Sequence, residues 1–130
     1  MLGDVIELST VVKDVEAAVK TFETLFGLKV YARRQSQEFG FKNAILPLGK
    51  GHIELMQPTD PSSAAARFLE TRGEGVYLVG FDVKDVNASF KELKDKGVRL
   101  TLSSNGNVAW VHPKDAHGLF VELRKPQQYA

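Results

Sequence analysis

Glu54 stands between Ile53 and Leu55, Glu122 between Val121 and Leu123, and Glu7 between Ile6 and Leu8. On an extended strand successive side chains point to opposite faces, so each carboxyl has a face to itself, open to water or to a cleft. Val5, Glu7, Ser9 and Val11 share one face of their segment, His52, Glu54 and Met56 one face of theirs, and Phe120, Glu122 and Arg124 one face of the last. If the strands curl together, Glu7, Glu54 and Glu122 point into one cavity. Ionised there, they repel, and something must neutralise them. A hard cation is one solution: oxygen donors suit magnesium, calcium or manganese better than zinc, nickel or cobalt, and His52 is available as a nitrogen ligand. Proton sharing is a second, and it turns at least one glutamate into a usable acid or base. A cationic side chain is a third, with Arg124, Arg33 and Arg34 as donors. The alternative is that Glu7 is solvated at a strand end and no triad forms.

The elements that must position these residues come in two copies. Val12-Lys13-Asp14-Val15 returns as Val83-Lys84-Asp85-Val86, and apolar residues follow each copy in register, Ala17, Val19 and Phe22 answering Ala88, Phe90 and Leu93. Both copies stop at a glycine and run into a β-branched segment, Gly27-Leu28-Lys29-Val30 and Gly97-Val98-Arg99-Leu100. Both end alike, with Ile53-Glu54-Leu55 and Val121-Glu122-Leu123. Periodicity predicts a strand over Val5–Val12, a helix capped by Asp14 and stopped at Gly27, and strands over Leu28–Gln35, Phe41–Pro47 and Gly51–Gln57. A short helix from Ala64 to Leu69, ending near Gly73, links the halves. The second copy predicts strand Val76–Val83, helix Asp85–Lys96 and strands near Val98–Leu102, Asn107–His112 and Leu119–Arg124, with Asn105-Gly106 as a hairpin turn and a short tail from Pro126.

The expected fold is therefore α+β: two βαβββ modules with pseudo-twofold symmetry forming a half-open β-barrel cleft. One domain spans 1–130, with module one at 4–58, a linker helix at 59–73 and module two at 74–126. Lys13-Asp14 and Lys84-Asp85 are read as helix caps, His112 as a structural hydrogen-bonder beside Pro113, and Tyr77 as packed under a helix. Trp110 and Phe120 are core residues or pocket walls.

Composition narrows the function classes. The 130 residues are 43% hydrophobic and 25% charged, with a net charge of +1 and no cysteine. A near-neutral chain has no basic bias for nucleic acid. The lack of thiols excludes disulfides and zinc–cysteine sites, and no apolar run approaches a membrane span. A cytoplasmic protein without nucleic-acid or membrane partners is expected.

The double βαβββ pattern, the two Val-Lys-Asp-Val helix starts, Pro47 before a turn, Gly73-Glu74-Gly75, His112-Pro113-Lys114 and Gly118-Leu119-Phe120-Val121-Glu122-Leu123 together resemble the vicinal oxygen chelate (glyoxalase / bleomycin resistance / dioxygenase) superfamily. Within it they are most similar to methylmalonyl-CoA epimerases and their glyoxalase-like relatives. The resemblance implies a divalent metal on the pseudo-twofold axis, at positions matching Glu7, Glu54, Leu78 and Glu122. Glu122 keeps the usual ligand and Glu54 is an acceptable one. Glu7 and Leu78 stand where epimerases have histidine, and the first-module base falls on Asn43.

The implied activity is proton transfer beside the carbonyl of a small acid or acyl thioester, an isomerase- or lyase-type reaction that stabilises an enolate. Glu54, Glu122, Glu7 and Asn43 are the candidate catalytic residues, with Asn43 donating to substrate. Leu78, His52 and His117 are candidate substrate contacts, and Glu7, Glu54 and Glu122 the candidate metal ligands. The substrate would be a small molecule, with an acyl-CoA among the candidates, and the protein a homodimer without an organic cofactor. The alternative is a metal-free small-molecule binding module of the bleomycin-resistance type.

Overall fold

Asp14 and Asp85 open two helices in the same way. The Asp14 carboxylate accepts from the backbone N–H groups of Glu16 and Ala17, both at 3.1 Å, and Asp85 from that of Ala88 at 3.0 Å. Each side chain satisfies donors that a first helical turn leaves open. In the computed structural model, which describes residues 1–129, these caps start α1 (Val15–Phe26) and α3 (Val86–Asp95). Gly27 ends α1 in the left-handed region, φ 68°, where glycine carries no side-chain penalty.

The remaining elements are β1 (Val5–Val11), β2 (Ala32–Ser36), β3 (Phe41–Leu48), β4 (Gly51–Pro58), α2 (Ala64–Arg72), β5 (Gly75–Asp82), β6 (Leu100–Leu102), β7 (Ala109–Val111) and β8 (Val121–Arg124). A single 3₁₀ turn over Pro113–Asp115 precedes β8. The order is βαβββ twice with α2 between the copies, an α+β fold. Among the described residues, no helix is long and apolar enough to cross a membrane.

The chain forms two compact units, Leu8–Tyr77 with Tyr129, and Met1–Glu7 with Leu78–Gln128. Their boundary is not that of the repeat, because the first residues hydrogen-bond to the second copy: Gly3 N–H donates to the Asp82 carbonyl at 2.7 Å, and Asp82 N–H to that of Asp4 at 2.9 Å. In the first unit the strand order is β1-β4-β3-β2, with β2/β3 and β3/β4 antiparallel. In the second it is β5-β8-β7-β6, with β5/β8 parallel and the other pairs antiparallel. Both copies thus arrange their strands first, fourth, third, second.

Alternation decides which side chains feed which core. Leu55, beside Glu54, packs with Val12, Val15, Val19, Ala44 and Leu46 under α1. Val121 and Leu123, beside Glu122, pack with Val83, Val86, Ala109 and Val111 under α3. Each helix therefore claims the face opposite a glutamate. In the first unit Met56, on the Glu54 face, packs with Val11 and Ala65, and α2 adds Phe68 and Leu69. The linker helix thus shares in a core. Tyr77 meets Phe68 edge-to-face at 5.3 Å, the position under a helix that its alternation predicts.

Two expectations need correction. The strand expected from Leu28 begins at Ala32, because Leu28 and Val30 fold back onto the α1 core. The last strands are shorter than predicted: the Ser103–Val108 turn closes through Ser103 N–H to the Val108 carbonyl at 2.8 Å, and Leu119 N–H is taken by Ala116 at 3.1 Å. The short tail from Pro126 is anchored at Tyr129, whose hydroxyl hydrogen-bonds to His52 Nδ1 and whose ring meets Tyr31 edge-to-face at 5.4 Å.

Replacing Asp14 by alanine is expected to lower the unfolding free energy by about 1 kcal/mol without changing the fold. Urea denaturation followed by circular dichroism checks this; an unchanged midpoint would contradict the capping role.

Candidate functional site

Glu7 and Glu122 come together in the second unit, and Gly80 lets them. The parallel β5/β8 register sets Gly80 opposite Glu122. A Cβ at Gly80 would lie 2.7 Å from Glu7 Cβ and 3.3 Å from a carboxyl oxygen of each glutamate. Any larger residue would push the two carboxyls apart. Across the antiparallel β7/β8 pair, Trp110 faces Glu122 and donates Nε1–H to Glu122 Oε1 at 2.9 Å. Arg124, one alternation further along β8, donates from Nη1 to Glu7 Oε1 at 3.1 Å and to Glu122 Oε2 at 3.4 Å.

Both carboxyls are buried, Glu7 at 3% and Glu122 at 6% exposure. Two ionised glutamates beside one guanidinium would leave a net negative charge out of water, which is costly. Burial, then the Glu7 charge, then a hydrogen bond from carboxyl to carboxyl hold Glu122 well above the usual carboxylate range, and Arg124 and Trp110 offset this only in part. Of the three ways to neutralise the cluster, a cationic side chain is in place for Glu7 and Glu122.

Glu54 has different company in the first unit. Ser9 donates Oγ–H to Glu54 Oε1 and Asn43 donates Nδ2–H to Oε2, both at 2.5 Å. The Asn43 carbonyl accepts Arg34 N–H at 3.1 Å, which fixes the direction of the amide. Asn43 reaches Glu54 on the diagonal of the β3/β4 ladder, where Ile45 is the direct partner of Glu54. His52 is buried, and its Nδ1 is engaged by Tyr129. Glu54 and Glu122 hold equivalent places in the repeat, yet one is held by neutral donors and the other by a cation and a second acid.

The other candidates are dispersed. Leu78 is buried on β5, on the Gly80 face by alternation. His117 is exposed in the turn after Pro113–Asp115, with φ 54°. His112 caps that turn, its Nδ1 accepting Lys114 N–H at 3.1 Å. Arg33 is committed to Glu16 at 2.8 Å. Sequence reasoning missed Ser9 as a partner of Glu54, Gly80 as the space between the carboxyls, the Trp110 hydrogen bond and the return of Tyr129. A glycine inside the strand, between Val79 and Phe81, was a readable sign of close approach; nothing in the sequence pointed to Tyr129.

The donor set does not fit a divalent ion as it is arranged. Among the described residues, no three His, Asp or Glu side chains form a group that could hold a metal. Arg124 supplies positive charge to Glu7 and Glu122, His52 Nδ1 is taken by Tyr129, and Leu78 offers no donor atom. Arg124 also lines a cavity of about 420 Å³ in the same unit, with Lys84, Asn87, Asn107 and Lys125 among its walls. Asp85 lines the same cavity beside the cations Lys84, Arg124 and Lys125.

Residues 8–127 match the model of the Glyoxalase/Bleomycin resistance protein/Dioxygenase superfamily. The ethylmalonyl-CoA/methylmalonyl-CoA epimerase of Cereibacter sphaeroides is 29% identical over 133 residues, covering 96% of this chain and 99% of its own. A variant of Streptomyces coelicolor methylmalonyl-CoA epimerase, solved in complex with 2-nitronate-propionyl-CoA, superposes with a TM-score of 0.90 at 28% identity, over 98% of this chain and 100% of that one. A methylmalonyl-CoA epimerase solved with methylmalonyl-CoA and ammonium superposes with a TM-score of 0.90 at 28% identity, over 99% and 98%.

The raised Glu122 carboxyl has a signature in stability. The folded protein holds this proton more tightly than the unfolded chain, so its stabilising contribution is complete below the ordinary value of 4.5 and is lost as pH rises through the raised folded value. The unfolding free energy of wild type minus that of Glu122→Gln is expected to fall as pH climbs from about 4.5. Urea denaturation of both proteins across that range measures it; parallel curves would show that Glu122 titrates normally.

Proposed function

Because the chain belongs to the glyoxalase/bleomycin resistance protein/dioxygenase superfamily, we propose that it is an epimerase-like enzyme moving a proton beside the carbonyl of an acyl thioester. One observation carries this above others: a buried carboxyl, raised above its ordinary range by burial and by a neighbouring acid, lies beside a second carboxyl and a fixed guanidinium. A carboxyl raised in this way is better suited to give as well as take a proton than an ordinary glutamate. The relatives named as methylmalonyl-CoA epimerases, and their complexes with acyl-CoA molecules, support the choice of substrate class. The cations around the cavity bordered by Arg124 suit the anionic parts of such a molecule.

In this reading a carboxylate removes the α-proton, the electron pair moves to the thioester oxygen, and reprotonation on the other face inverts the carbon. Glu122 is the acid/base group with Glu7 as its partner, and the Arg124 charge offsets the enolate. Glu54 is the other candidate acid/base group, oriented by Ser9 and Asn43. Leu78 is assigned to the apolar wall, and His52 and His117 to substrate contact. The protein is taken to be a cytoplasmic homodimer, which sedimentation equilibrium and cell fractionation test. A divalent ion on Glu7, Glu54 and Glu122 is the competing version of the site. A metal-free binding module is the second reading, favoured by the buried Leu78 where the resemblance expects a ligand.

One experiment separates these. Methylmalonyl-CoA and other acyl-CoA molecules are incubated with the protein in deuterated water and followed by mass spectrometry. Deuterium is expected to enter the α-carbon in the presence of chelator, and Glu122→Gln is expected to slow this by on the order of 10²-fold or more. Exchange abolished by chelator and restored by manganese would support the metal version. Saturable binding without exchange of any thioester would support the binding module and end the epimerase reading.

A further inference from the structure

We infer that Arg124 is the resident cation of the Glu7–Glu122 pair, standing where a bridging divalent ion would have to sit, so that this pair becomes a metal site only when the guanidinium is removed. A single nitrogen, Nη1, lies 3.1 Å from Glu7 Oε1 and 3.4 Å from Glu122 Oε2. A metal bridging the same two carboxyls would need oxygen contacts of roughly 2.0–2.6 Å. It would occupy nearly the same volume as that nitrogen, next to a charge that no accessible pH removes.

The guanidinium is placed by the backbone and not by chance contact. β8 pairs with β5 so that Arg124 faces Asp82 and Glu122 faces Gly80. Its side chain is 22% exposed, and its Nε donates to the Lys125 carbonyl at 3.3 Å. Gly80 then supplies the space in which the two carboxyls approach the same nitrogen.

Charge counting supports the exchange. A divalent ion could balance two ionised glutamates alone, whereas a guanidinium balances one and leaves the other to be met by a proton. Two carboxyls buried at 3% and 6% exposure that share one guanidinium nitrogen are the geometry of the second arrangement. The inference does not rest on the epimerase reading, because metal affinity can be measured without substrate.

The test is a titration with manganese alone, followed by electron paramagnetic resonance and calorimetry. It compares wild type, Arg124→Met, and Arg124→Met combined with Glu122→Gln. Wild type is expected to bind no manganese at this pair. Arg124→Met is expected to gain at least about tenfold in affinity, since a fixed unit charge within about 4 Å repels a divalent ion even under bulk-water screening. The added Glu122→Gln change should abolish the gain. Circular dichroism establishes folding, and Arg124→Gln substitutes if the methionine variant does not fold. Wild-type manganese binding that Glu122→Gln removes, or a folded Arg124 variant with no gain, would overturn the inference.

Discussion

Two carboxyl groups taken out of water and set side by side need a counter-charge, and in this chain Arg124 provides it from the same strand as Glu122. One guanidinium does not balance two ionised acids. Burial before anything else, then the Glu7 charge, raises the Glu122 carboxyl well above the usual range. The lack of a side chain at Gly80, the hydrogen bond from Trp110 and the parallel β5/β8 register all serve the same approach.

The repeat makes the comparison of Glu54 with Glu122 informative. Both follow the same apolar-glutamate-apolar pattern, and each sends its flanking residues into the core beneath its own helix. Their polar surroundings differ, because the cross-strand neighbours differ. Glu54 meets the serine of β1 and the amide of Asn43. Glu122 meets an indole, a guanidinium and another acid. A duplicated scaffold thus presents two carboxyls of unlike character, one accepting from neutral donors and one raised well above the usual carboxylate range.

Much of the fold was legible because its determinants are local. Asp14 and Asp85 declare their helices by capping, and alternation around Leu55 and Leu123 sorts core from polar face without any long-range knowledge. The βαβββ order and the sheltering of Tyr77 beside a helix follow from that. Strand ends were less legible: whether Leu28 and Val30 extend β2 or fold onto α1 depends on packing, not propensity. At the site, the residue types were readable and Arg124 was among the candidate cations, but partner choice was not. That Asn43 is aimed at Glu54 depends on a diagonal of the β3/β4 register, and that Tyr129 returns to His52 depends on a tertiary contact with no periodic trace.

The most direct measurement of this account is the ionisation of individual glutamates in the folded protein, by carbon-13 NMR of side-chain carboxyls across a pH titration. One carboxyl is expected to keep the chemical shift of a protonated acid well above 4.5, and its signal to disappear in the Glu122→Gln protein. If every glutamate titrates in the ordinary range, Glu122 holds no proton and the pair is not the device described.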